Sequence, residues 1–191
     1  MDSNLKRLIE IGGAALEAED RFFLGSVAAN PAYRGEKGGT LRIKNERYYQ
    51  FVVARALASS FPYLAEVEKV DKHDLVLWRP GDRSAPFAVV EMKRWMGVGD
   101  EAGIPAITEN IKKLSGARAE HALMLIFSVN PVGTTRRTGD DSGWEHYPFQ
   151  TLNRDGDEVE FWVAGHELTT EELASARSSP ETTGAATTPG V

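Results

Sequence analysis

His73–Trp95 reads HDLVLWRPGDRSAPFAVVEMKRW. Two short apolar runs, DLVLW and FAVVEMK, are rich in β-forming residues. Between them lies RPGDRSAP, whose Pro, Gly, Asp and Ser favour turns. The segment predicts a β-hairpin. Letting Trp78 face Phe87 across the loop sets an antiparallel register in which Asp74 falls opposite Glu91. Directly opposed residues hold their Cβ atoms about 4.5–5.5 Å apart. Side chains alternate between the faces of a strand, so Lys93 shares a face with Glu91. A slip of one residue would put the two acids on opposite faces.

Two opposed carboxylates repel each other and lose hydration, which makes them a poor structural choice on their own. A divalent cation removes the conflict. Mg²⁺ takes hard oxygen ligands in octahedral geometry and commonly binds one or two carboxylates together with water and substrate phosphate. The alternative is that both acids end in water at strand termini, with Lys93 paired to Glu91.

Working outward, YLAEVEKV (63–70) alternates apolar and charged residues with the period of a strand. Before it, a helix is predicted from about Arg42 to Ser60, stopped by Pro62 close behind. After the hairpin, Ile104, Ile107, Ile111 and Leu114 mark one face of a short helix over 104–116. HALMLIFSV is apolar throughout, as in a strand buried on both faces. DEVEFWVAG predicts a last strand and LTTEELASA a final helix. At the other end, residues 4–24 read as a helix or a pair broken at Gly12-Gly13. NPAYRGEKGGT and GTTRRTGDDSG are loops by composition, and the Ser/Thr/Pro/Gly-rich stretch from Ser178 onward predicts a disordered tail. The expected architecture is α/β: a mixed central β-sheet flanked by helices. It forms a single domain over residues 1–177, with an α-β-β-β-α-β core at about 41–129 and additions at both ends.

The chain has 191 residues and a net charge of −6, which speaks against a nucleic-acid partner until its distribution is considered. Residues 41–138 hold 15 Lys/Arg against 11 Asp/Glu, whereas residues 139–191 hold 2 against 11. The acidity belongs to the C-terminal part, and the centre is mildly basic. Cysteine is absent, which excludes disulfides and thiolate metal sites and fits a reducing compartment. The opening MDSNLKRLIEIGG lacks the apolar run of a secretory signal, and no stretch approaches the roughly 20 apolar residues of a spanning helix. A cytoplasmic protein without a membrane partner is expected.

The residues around Asp74, Glu91 and Lys93 resemble the PD-(D/E)XK nuclease superfamily, which has the restriction-endonuclease-like fold. Its pattern is an Asp at the start of the second core strand and a Glu-x-Lys near the end of the third. Here these are Asp74 in HDLVLW and Glu91-Met92-Lys93 in VVEMKRW. Glu46, in the helix before the first strand, is similar in position to a further acid of many members. Glu66 and Glu68 on the first strand are its rivals. The superfamily's Pro before the Asp is His73 here, and the helix 104–116 offers Asn110, Lys112 and Lys113 where some relatives use further polar residues. Residues 1–40 and 130–191 have no counterpart. The resemblance implies a nuclease that hydrolyses phosphodiester bonds, most plausibly in DNA, with a role in defence or in repair and recombination. Asp74, Glu91 and the backbone carbonyl of Met92 would hold Mg²⁺, or Mn²⁺ in its place. Lys93 would orient water, and Glu46 would complete the shell through water or recruit a second metal. The competing expectation is an inactive relative that uses the fold as a binding or assembly subunit, with a protein partner or a second copy of itself.

Other features carry less. None of His73, His121, His146 and His166 forms a His-x-His or His-x-x-x-His pair, which argues against zinc. The expectation for His73 is an incidental residue before a strand. For Arg136-Arg137 it is a solvated loop, and for Trp95, Tyr48 and Tyr49 it is packing. GEKGG and GDDSG lack the strand–loop–helix setting of a phosphate loop.

Overall fold

A computed structural model describes residues 1–29, 46–67, 73–95, 103–128, 144–152 and 158–178. The elements are α1 (Ser3–Ala29), α2 (Glu46–Ser60), β1 (Leu64–Val67), β2 (Leu75–Trp78), β3 (Ala88–Trp95), α3 (Gly103–Ser115), β4 (His121–Ser128), β5 (Trp144–Leu152), β6 (Glu158–Glu167) and α4 (Thr170–Ser178). The six strands form one mixed sheet in the order β1-β2-β3-β4-β6-β5. Among the described strands, only β3 and β4 run parallel, joined through α3 as a strand–helix–strand unit.

The hairpin register is the one expected. Leu75 faces Val90, Val76 faces Val89 and Leu77 faces Ala88, while the Phe87 N–H donates to the Leu77 carbonyl at 2.8 Å. One step further along, this register sets Asp74 opposite Glu91.

Side-chain alternation sorts the core into two layers. Leu75, Leu77, Val90, Met92, Leu123, Leu125 and Phe127 pack against Leu5, Leu8 and Leu16 of α1 and Tyr49, Val53 and Leu57 of α2. Val76, Val89, Trp95, Met124 and Ile126 face the other way, toward Leu114 of α3 and Leu173 of α4. β4 is therefore buried on both faces, as its continuous apolar run predicts. Each such side chain contributes about 1.5–3 kcal/mol on full burial. Glu91 and Lys93 lie on the same face as Val89 and Trp95.

α1 is one continuous helix through Gly12-Gly13. The reason is close approach rather than a break. A Cβ added at Gly13 would lie 2.6 Å from Tyr147 Cγ and nearer still to Cδ1, whereas one at Gly12 would sit an ordinary 3.4 Å from Val53 Cγ1. The two glycines should therefore respond oppositely to alanine. Gly12→Ala is expected to be neutral or to stabilise by up to about 1 kcal/mol through helix propensity. Gly13→Ala must push the Tyr147 ring aside and should destabilise by about 1–3 kcal/mol. Urea melts of both variants check this, and a stabilised Gly13→Ala would show that the contact with β5 is loose.

β5 is a strand that composition did not predict. Pro148 sits in its middle, facing Trp162 of β6. A proline cannot donate to a sheet ladder, and β5 is an edge strand, where one row of N–H groups has no ladder partner. α4 begins with reciprocal capping: the Glu172 N–H donates to Thr169 Oγ1 at 3.2 Å and the Thr169 N–H to Glu172 Oε2 at 2.7 Å.

The loop 30–40, Glu68, Arg136-Arg137 and the tail beyond Ser178 lie outside the described residues. Among the described residues, no helix is long and apolar enough to cross a membrane.

Candidate functional site

The hairpin register brings the acids together, and two helices supply their partners. Asp74 immediately precedes β2, and its Oδ2 accepts a hydrogen bond from the Met92 N–H at 2.7 Å. Burial pushes the Asp74 carboxyl up to about 6. The Met92 N–H offsets part of this, while the charges of Glu91 and Glu46 add to it and Lys113 works against them. In a strand, the N–H and C=O of one residue point toward the same neighbour, so the Met92 carbonyl also turns to the Asp74 side.

Glu91 is 1% exposed. Its Oε1 lies 2.6 Å from Lys113 Nζ on α3 and 2.7 Å from His73 Nδ1. A carboxylate oxygen only accepts, so His73 carries its hydrogen on Nδ1. Glu46 opens α2, where an acidic side chain complements the helix dipole. Its Oε2 accepts from the Arg94 N–H at 2.9 Å and lies 3.1 Å from Lys93 Nζ. The start of α2 is thereby tied to the end of β3.

All four expected residues thus stand along one end of the β2–β3 pair, but their pairing differs from the simplest expectation. Lys93 pairs with Glu46 rather than Glu91, and Glu91 is neutralised from α3 by Lys113. The reason is reach: Lys113 projects from the helix covering that face, while the Lys93 stem extends past the strand to α2. Of the rival acids, Glu66 is engaged elsewhere, accepting from Trp78 Nε1 at 3.0 Å and Arg83 Nη1 at 2.8 Å. His73, expected to be incidental, is 2% exposed and bonded to Glu91. It also lines a pocket of about 140 Å³ with Trp78, Ser84, Val89 and Arg118.

The donor set suits a hard cation. Asp74, Glu91 and the Met92 carbonyl are all oxygen ligands of the kind Mg²⁺ and Mn²⁺ prefer. The contacts to Met92, His73 and Lys113 use one oxygen of each acid, Asp74 Oδ2 and Glu91 Oε1. Among the described residues, no three His, Asp or Glu side chains already converge as a ligand shell. A backbone carbonyl is needed as third protein ligand, because Glu46 is turned to Lys93 and Arg94. The chain matches no protein-family model, no curated protein and no solved structure with which it was compared.

Proposed function

We propose that this protein is a Mg²⁺-dependent nuclease of the PD-(D/E)XK type that hydrolyses phosphodiester bonds in DNA, in the cytoplasm. One observation carries the reading: Asp74 opposes Glu91 in the β2–β3 register, with the Met92 N–H bonded to Asp74 and Lys93 next along the Glu91 face. The order α2-β1-β2-β3-α3-β4 supports it, being the α-β-β-β-α-β order of that superfamily.

Asp74, Glu91 and the Met92 carbonyl would hold the metal. When bound, it supplies Lewis-acid polarisation of the scissile phosphate and acidifies the attacking water. The Lys93 ammonium orients that water and donates to the charge that develops on phosphate oxygen. Glu46 holds Lys93 in place, and Lys113 balances Glu91. The mildly basic central residues favour phosphate, and a protein partner or second copy would add affinity.

A second reading is an inactive module for binding or assembly. The observation in its favour is that Glu91 is already balanced by Lys113, and Lys93 by Glu46, without any cation. Calorimetric titration with Mn²⁺ separates the two, run beside incubation with linear, circular and single-stranded DNA in Mg²⁺ or EDTA. The nuclease reading expects one metal site, lost in both Asp74→Ala and Glu91→Ala, and cleavage blocked by EDTA. Metal binding that survives in both variants would reject the site. A wild type that neither binds metal nor cuts any substrate leaves the module.

A further inference from the structure

We infer that His73 is a positioning residue that sets the orientation of Glu91 for a divalent cation, an inference that rests on the metal-site reading above. His73 and Glu91 are among the few buried polar residues, at 2% and 1% exposure, and they meet at 2.7 Å. A buried imidazole that merely filled space would carry the cost of an unpaired polar group, a cost an apolar residue avoids. Here the Nδ1–H is directed at Glu91 Oε1.

The consequence is directional. Lys113 Nζ also approaches Oε1, at 2.6 Å, so both donors converge on one oxygen from different elements, α3 and the segment entering β2. With Oε1 held twice, the carboxylate cannot rotate, and Oε2 is the oxygen left for a cation shared with Asp74. Lys113 alone, on a flexible stem, would fix the distance but not the plane. The chain places this donor directly before Asp74, so one segment delivers both a ligand and the group that aims the other ligand. Groups that hold a metal-ligating carboxylate in this way typically change metal affinity by about 10–100-fold when removed.

The test is the Mn²⁺ dissociation constant, measured by calorimetry on metal-free protein, for wild type, His73→Ala, His73→Asn and His73→Gln. Circular dichroism and a cooperative melt confirm folding of each. The side-chain amide nitrogen of asparagine lies the same number of bonds from Cα as Nδ1, whereas that of glutamine lies one bond farther. Asparagine is therefore expected to keep the affinity within a few-fold of wild type. Alanine and glutamine should weaken it about 10–100-fold. Should alanine fail to fold, the asparagine–glutamine contrast carries the result. Wild-type affinity in a folded His73→Gln or His73→Ala overturns the role of His73 while leaving the metal site standing. A wild type with no Mn²⁺ affinity overturns the metal site itself.

Discussion

Replacing Lys93 with alanine should lower the cleavage rate about 10²–10³-fold, the usual loss for one positioned donor to transition-state charge. The fold should survive. Lys93 is about one-quarter exposed and its ion pair is with Glu46, so losing that pair costs at most roughly 1 kcal/mol. Glu46 keeps its bond to the Arg94 N–H, and Asp74, Glu91 and the Met92 backbone are untouched. Mn²⁺ affinity should therefore stay near wild type while turnover collapses. Cleavage rate, metal affinity and melting temperature on one preparation check all three. Cleavage persisting in Lys93→Ala would point to another site or a contaminating enzyme.

Asp74→Asn should abolish metal binding and yet make the metal-free protein more stable at neutral pH. The Asp74 carboxyl titrates near 6 in the folded chain, against an ordinary value of 3.8. Below 3.8 it is protonated in both folded and unfolded states, and its contribution to stability is fully present. As pH rises from 3.8 through 6, the unfolded chain releases the proton first and that contribution is lost; above 6 the loss is complete. With partial exposure to solvent, the loss is on the order of 1–3 kcal/mol. Asparagine keeps an oxygen to accept from Met92 and carries no charge, so the variant should gain about that much at pH 7.5 and almost nothing at pH 4. Urea unfolding in EDTA at the two pH values measures it. Equal stability of variant and wild type at pH 7.5 would mean that the carboxylate is better solvated than its burial implies. Added Mg²⁺ should then stabilise wild type but not Asp74→Asn.

Much of this arrangement is legible in the sequence, and the parts that are not have physical reasons. The β2–β3 register follows from two β-forming runs that meet around a turn-rich loop. β4 follows from a short, near-continuous apolar run, whose length favours a strand buried on both faces. β5 escapes detection because Pro148 interrupts it, and only its edge position makes the proline tolerable. The pairings Lys93–Glu46 and Lys113–Glu91 join residues from different elements, and no periodicity encodes them. His73 looks idle because its partner lies across the hairpin, and because alternation continued back from β2 would turn it to the face away from Glu91; lying before the strand, it escapes that rule.

α1 has a consequence for the order in which the molecule is made. Its apolar residues Leu5, Leu8 and Ile9 pack against strands from the far end of the chain: Ile9 meets Gly165, Tyr147 hydrogen-bonds Glu17, and the Asp2 N–H donates to Glu167 Oε2. On a ribosome adding about 5–20 residues per second, α1 emerges on the order of ten seconds before β5 and β6 exist to receive it. During that interval α2 is the element at hand to cover the apolar stripe of this 27-residue helix. The sheet closes over its first element last.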